Sequence, residues 1–224
     1  KMSSPQTSTA LKGRFITFEG GEGVGKSTNI GFAKDWLEAR GKTVVVTREP
    51  GGTPIAEKIR NDLLKAHHEE PMADLTELLL VFAARAQHIE SVIRPALERG
   101  DWVLCDRFTD STIAYQGYGR GLPLDQIETL RALVQQQVSP DCTLLLDAPL
   151  TVGMGRASRR AAENNEQTDR FESEALAFFE KVREGFLALA ASQPRFNLID
   201  ASQPLEVVQQ AVEKQLNRMI GAQS

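Results

Sequence analysis

Cysteine is nearly absent: the 224 residues hold two, Cys105 and Cys142, each inside an apolar run that reads as a buried strand. That excludes a disulfide-built scaffold, and the pair reads as reduced core thiols ahead of a metal pair or a bridge. Long apolar runs are missing too, so no stretch suffices to span a bilayer. Positive charge is not in excess. A net charge of -4 and a pI near 5.5 argue against a broadly nucleic-acid-binding surface and leave only a local basic patch. There is no internal repeat and no low-complexity segment. The polar opening, Lys1 to Leu11, lacks the apolar centre of a signal peptide. Residues 1–12 are expected to be a disordered leader or, with Lys1 before Met2, an artificial remnant. Residues 13–221 are expected to form a single domain, long enough for a substantial core, and a cytoplasmic location is expected.

What is present begins with Phe18-Glu19-Gly20-Gly21-Glu22-Gly23-Val24-Gly25-Lys26-Ser27-Thr28, directly after the apolar Phe15-Ile16-Thr17-Phe18. Gly20-x-x-x-x-Gly25-Lys26-Ser27 is a P-loop pattern. Its glycines let successive backbone N–H groups converge on a triphosphate, Lys26 reaches the β/γ-phosphates and the Ser27 hydroxyl holds Mg²⁺. The phosphates sit on the N-terminus of the next helix, where orphan N–H groups and the dipole favour anions. A Gly-rich turn with an incidental lysine is the plain alternative. The strand before and the helix after set it aside.

The rest of the chain alternates strands and helices. Arg14 to Glu19 reads as a first strand, and a helix from Lys26 runs to Arg40-Gly41. Thr43 to Thr47 is a β-branched second strand, completing a βαβ unit with parallel pairing. Pro54 opens a helix to about Lys65, and a long helix from about Ala73 to Glu98 is expected to bend or break before Pro95. Leu75, Leu78, Leu79, Leu80, Val81 and Phe82 make that helix apolar on more than one face, which implies the sheet on one side and either further helices or a second subunit on the other, a homodimer contact being the favoured expectation. Further strands are expected at Trp102–Asp106, Thr143–Asp147 and Arg195–Asp200, and helices at Leu124–Gln137, Leu150–Ala162, Glu172–Ala191 and Leu205–Met219. The fold class is therefore α/β: a P-loop three-layer α/β/α arrangement on a five-stranded parallel sheet. Ligands bind at the carboxyl ends of such strands, where Glu19, Arg48, Asp106 and Asp147 share one rim.

Four further groups carry chemistry. In Thr47-Arg48-Glu49-Pro50-Gly51-Gly52-Thr53, an arginine at a strand end is placed to grip a second phosphate bidentately, with a surface salt bridge as the alternative. In Asp106-Arg107-Phe108, the acid can organise Mg²⁺ and the arginine can neutralise a transferring phosphoryl group; a buried structural ion pair is the alternative. Phe82-Ala83-Ala84-Arg85 sets an aromatic side chain and a guanidinium one turn apart, suited to a planar heterocycle. Taken alone, Phe82 reads as core and the nearby His88 as solvated or capped. Arg156, Arg159 and Arg160, followed by a polar stretch to Asp169-Arg170-Phe171-Glu172, read as a mobile basic lid of about 153–171 that closes over a triphosphate and excludes water.

With Ala114-Tyr115-Gln116-Gly117, these motifs occur in the order and spacing of thymidylate kinases, and the resemblance covers Arg14 to Ile220. It implies a nucleoside-monophosphate kinase fold, usually a homodimer, that phosphorylates dTMP to dTDP with Mg-ATP, with neither nucleic acid nor membrane as partner. By the same resemblance, residues 20–28 bind ATP: Gly20, Gly21, Glu22, Gly23, Val24, Gly25, Lys26, Ser27 and Thr28. Ser27 and Asp106 serve the metal. Arg48 and Arg107 hold the dTMP phosphate, Arg85 reads the thymine, Tyr115 packs on the deoxyribose and Gln116 lies near the base. Glu22 meets the sugar 3′-hydroxyl, with Glu172 a second acid there. Relatives with Gly23 rather than arginine in the loop carry the catalytic arginine in the lid, here Arg159 or Arg160. Many relatives place an aromatic residue four before the base-reading arginine; in this chain Val81 holds that place and Phe82 follows. A kinase for another nucleoside monophosphate is the nearest alternative. A nucleotide-dependent switch protein is the more distant one, since neither an Asn-Lys-x-Asp nor an Asp-x-x-Gly motif occurs.

Overall fold

Five strands, β1 (Arg14–Glu19), β2 (Val44–Arg48), β3 (Trp102–Asp106), β4 (Cys142–Asp147) and β5 (Phe196–Asp200), pair in the order β2-β3-β1-β4-β5, every pair parallel. The computed structural model describes residues 11–222, so most of the expected leader lies outside the described residues. The sheet follows from β-branched and aromatic runs whose side chains alternate in direction. Ile16, Phe18, Leu104, Leu144 and Leu146 face α1 (Lys26–Glu38) and α9 (Leu205–Gly221) through Ile30, Ala33, Leu37, Val208, Val212 and Leu216. Their neighbours Phe15, Val103 and Cys105 face the other way, onto Ile89, Ile93, Ala96 and Leu97. Both faces are covered, as parallel sheets require. Cys105 and Cys142 are free and buried.

The expected long helix is three pieces: α3 (Asp74–His88), a π-helical turn Ile89–Ile93, and α4 (Arg94–Arg99). Pro95 supplies the cause, since it has no N–H for the ladder and its ring crowds the carbonyl four residues back; the turn widens to accommodate it. The helix from Pro54 behaves similarly: α2 (Pro54–Lys58) continues as a π-helical turn, Ile59–Leu64. Pattern reading does not mark α5 (Thr109–Thr112) or the π-helical Ile113–Gly119 after it. Thr-Asp-Ser-Thr is a poor helix former because its side chains compete for the backbone. Tertiary packing compensates: Ala114 and Tyr115 lie against Phe178, Phe179, Val182 and Phe186 of α8 (Leu176–Ser192). Gly185 permits the close approach, because a Cβ there would stand 2.8 Å from the Tyr118 ring. Two helices complete the chain, α6 (Leu124–Gln135) and α7 (Leu150–Asn164).

Strand register brings the predicted rim together. Asp106 lies beside Phe18 on one side and Arg48 on the other, with Glu19 next along β1. Asp147 sits one strand away, bound bidentately by Arg183 at 2.9 Å.

Candidate active site

The loop from Gly20 to Gly25 crosses from β1 to α1, and Gly20, Gly23 and Gly25 take φ of +140°, +70° and +92°. Gly23 also touches the base of α7. A Cβ on it would fall 2.0 Å from the Gly153 carbonyl oxygen, and a Cβ on Gly153 would fall 2.5 Å from the Glu22 carbonyl oxygen. Lys26 is buried, with Nζ donating to the carbonyls of Gly21 at 3.1 Å and Gly20 at 3.4 Å. Burial first, then Arg107, lower the affinity of its ammonium for the proton; Asp106, Glu22 and Glu19 oppose them. Ser27 and Thr28, at the first turn of α1, are exposed.

A cleft of about 770 Å³ opens in front of this loop. Glu22, Gly23, Val24, Gly25, Lys26, Ser27 and Thr28 form one wall. Arg48, Asp106, Arg107, Arg85, Tyr115 and Gln116 form the opposite one, and Arg160 and Glu172 close the rim. Gly20 and Gly21 instead line a second cavity of about 240 Å³ behind the loop, between Asp147, α7 and α8.

Arg107 is the centre of the cleft. Its backbone has φ +68°, left-handed for a non-glycine residue. Nη1 donates to the Gly20 carbonyl at 2.8 Å and to Ser111 Oγ at 3.1 Å, and Nη2 to Glu22 Oε1 at 2.9 Å. Burial would weaken its hold on the proton, but Tyr115, Glu22, Asp106 and Glu19 outweigh that and keep the guanidinium charged. Burial likewise favours the neutral Glu22 carboxyl, yet Arg107, Lys26, Lys65 and Arg160 win and hold it at about 2. Asp106 Oδ1 and the Tyr115 hydroxyl are buried with no hydrogen-bond partner in the protein. An orphaned carboxylate oxygen costs free energy unless a cation or water takes it, so Asp106 and Ser27 suit a hydrated Mg²⁺. Among the described residues no cluster of three His, Cys, Asp or Glu could hold a metal by itself.

Arg85 is buried and fixed, donating from Nε to Glu49 Oε1 at 2.6 Å and from Nη1 to Thr112 Oγ1 at 3.0 Å. His88, the last residue of α3, is not solvated: it is buried, with Nδ1 2.7 Å from Glu49 and Nε2 2.6 Å from Thr47. Of the two readings of Phe82, core and ligand-facing, the packing matches core. It packs with Leu78 and Ile127, while Val81 lines the cleft. One residue is a 100° rotation on a helix, enough to turn the ring away. Phe82 still supports the site, lying 5.0 Å under the Arg85 guanidinium. Arg48 is half-exposed and donates to Glu57 at 2.9 and 3.3 Å.

The first part of the basic cover is helical. α7 extends to Asn164 and ends at Asn165 with φ 52°, and Arg160 lines the cleft whereas Arg159 does not. Arg156 donates to the Ala201 carbonyl at 2.9 Å on another side. The returning segment lies on the end of the Ile59–Leu64 turn: Lys65 pairs with Asp169 at 2.8 Å and Arg170 donates to the Leu64 carbonyl at 2.9 Å. Glu172 and Asp169 cap each other's backbone N–H at 3.1 and 2.8 Å. Buried Glu77 on α3 fixes this return, accepting from Arg170, Arg120 and Gln116. Glu77→Gln is expected to lower stability by about 3 kcal/mol by leaving buried guanidinium groups short of charge. Denaturant unfolding checks this, and a change below ~0.5 kcal/mol would remove Glu77 as the anchor.

Residues that pattern reading missed also meet here: Arg60, Lys65, Ser111 and Thr112 line the cleft. Glu19, expected on the rim from its strand end, lies behind it. Ser111 and Thr112 sit in the unmarked helix, which hid them. Arg60 was findable as one more basic position on the helix that Pro54 opens.

The thymidylate kinase family model matches residues 18–212. A thymidylate kinase of Chromohalobacter salexigens is 58% identical over 95% of this chain and 99% of its own, and one of Alcanivorax borkumensis is 58% identical over 93% and 98%. The crystal structure of thymidylate kinase from Ehrlichia chaffeensis superposes with a TM-score of 0.72 at 37% identity, covering 92% of this chain and 98% of that one. The chain belongs to the thymidylate kinase family.

Proposed function

We propose that this protein transfers the γ-phosphoryl group of Mg-ATP in line to a phosphate oxygen of dTMP, giving ADP and dTDP. The observation that carries the reading is one continuous cleft joining the Lys26 loop, Arg107 and the Arg85–Thr112–Tyr115 pocket. The acceptor phosphate is already ionised near neutral pH, so no general base is needed; positioning and charge neutralisation suffice. Mg²⁺, held by Ser27 and through Asp106, would supply charge neutralisation at the phosphates. Lys26 and the loop N–H groups bind the donor phosphates. Arg107 and Arg48 bind the acceptor phosphate, displacing the carboxylates of Glu22 and Glu57 that they now hold. Arg85 donates to the base, and the buried Tyr115 ring leaves no room for a ribose 2′-hydroxyl. Glu22, ionised, is free to take the sugar 3′-hydroxyl once Arg107 turns to phosphate. Arg160 is the lid arginine at the transferring group, because it borders the cleft and Arg159 does not.

A coupled ADP-release assay across dTMP, dUMP, CMP, GMP and AMP tests the substrate. dTMP is expected to be used best; turnover of another monophosphate in its place would replace this reading. Arg160→Ala is expected to cost about 10²-fold or more in turnover and Arg159→Ala less than about threefold. The reverse order would move the role to Arg159. A homodimer through α3 belongs to the same reading, supported by Leu75 and Leu79, which are 52% and 49% exposed one turn apart. A monomeric mass in sedimentation would count against it. No helix among the described residues is long and apolar enough to cross a membrane, and a cytoplasmic location completes the proposal.

A further inference from the structure

We propose that Glu19 is the positioning residue for Arg107, fixing its backbone directly and its guanidinium through Ser111 without touching substrate. Glu19 ends β1, is fully buried and lines neither cavity. Its Oε1 accepts from the Phe108 N–H at 2.7 Å, and its Oε2 shares a 2.5 Å hydrogen bond with Ser111 Oγ. Both partners belong to Arg107. Phe108 is the next residue, and Ser111 Oγ accepts from Arg107 Nη1 at 3.1 Å. The contacts form a closed ring from the guanidinium through Ser111 and Glu19 to the Phe108 amide and back along the chain.

Such a ring answers a specific problem. A non-glycine residue at φ +68° is disfavoured by about 1 kcal/mol or more and persists only where its surroundings over-determine it. On the amino side, the Arg107 N–H donates to the Phe18 carbonyl at 3.0 Å. Glu19 supplies the hold on the carboxyl side. An apolar residue in its place would fill the space equally well but leave the Phe108 N–H buried without an acceptor. The carboxyl is therefore explained by Arg107, not by packing. Burial, then Asp110, push its pKa up to about 8 against Arg107, Ser111 and the Phe108 N–H. Glutamine keeps an amide oxygen for the Phe108 N–H and a polar group beside Ser111 Oγ, which donates to Oε2 of the carboxyl. Leucine reproduces neither bond.

The inference rests on the proposed phosphoryl transfer for its kinetic readout, so a second readout is independent of activity. Glu19→Leu is expected to lower kcat about 100-fold, the cost of an ångström-scale misplacement of a catalytic group, with KM for ATP little changed. Glu19→Gln is expected to stay within about threefold of wild type, and Glu19→Leu added to Arg107→Ala to cost less than about twofold further, since Glu19 acts only through that side chain. If Glu19→Leu does not fold, Ser111→Ala replaces it, with about a tenfold loss expected alone and none beside Arg107→Ala. Equal losses in both backgrounds, or wild-type kcat in Glu19→Leu, overturn the proposal. In nitrogen-15 NMR, slowly exchanging Arg107 guanidinium signals are expected in wild type and Glu19→Gln and lost in Glu19→Leu. Their survival in Glu19→Leu overturns the inference whatever the activity. A wild-type enzyme inactive on every monophosphate overturns the functional reading instead and leaves this NMR comparison standing.

Discussion

Arg107→Ala is expected to lower turnover on dTMP by about 10³-fold or more, roughly 4 kcal/mol of transition-state stabilisation. The guanidinium reaches three acceptors at once, the Gly20 carbonyl, Ser111 Oγ and Glu22. Its planar fork spans the loop and the acceptor wall together. Lysine cannot do so with one point charge, so Arg107→Lys is expected to recover little. KM for dTMP should rise, because the ground-state phosphate loses a partner, while KM for ATP should move less. The fold should survive, since the Glu22 carboxylate left behind is partly exposed and can be solvated. Steady-state kinetics with thermal unfolding separate these effects. Near-normal turnover in Arg107→Ala would end the assignment.

Lys26→Ala should divide activity from stability. Turnover is expected to fall about 10³-fold, because donor phosphates lose the ammonium that spans them. The unliganded protein, however, should be as stable as wild type or slightly more so. Burial and Arg107 lower the Lys26 pKa in the folded state. A lysine whose folded pKa lies below its unfolded value opposes folding wherever the unfolded group is protonated, that is, through neutral pH. That opposition fades only as pH rises toward the unfolded pKa. Its bonds to Gly20 and Gly21, the second at 3.1 Å, offset part of the cost. Denaturant midpoints at pH 7 for the two proteins provide the check. A large destabilisation in Lys26→Ala would make the lysine a structural tie of the loop.

Much of this was legible in the chain. Five strands, their parallel pairing and the ends at Glu19, Arg48, Asp106 and Asp147 follow from short apolar runs that stop at a charge. Such runs carry their own boundaries. The stripe of α8 was equally plain, with Phe178, Phe179, Val182, Phe186 and Leu189 all buried. What stayed hidden depends on contacts distant in sequence. Thr109 to Gly119 is helical because α8 covers it, not because its residues favour helix, so Ser111 and Thr112 went unseen. Phe82 and Val81 differ by one position, and periodicity on an apolar-all-round helix cannot say which one faces ligand. Arg159 and Arg160 pose the same problem at a lid. Only the packed rotation of α7 brings Arg160 to the cleft.

The meeting of Gly23 with Gly153 has a consequence for how such enzymes diverge. An arginine at position 23 would bring a Cβ to 2.0 Å from the Gly153 carbonyl, at a backbone angle that disfavours it. Moving the arginine proposed at the lid into the loop is therefore not a single mutational step. Helix α7 must first retreat, and with it the segment carrying Arg160. Descent through this family is expected to show positions 23, 153 and 160 changing together, as one inherited block.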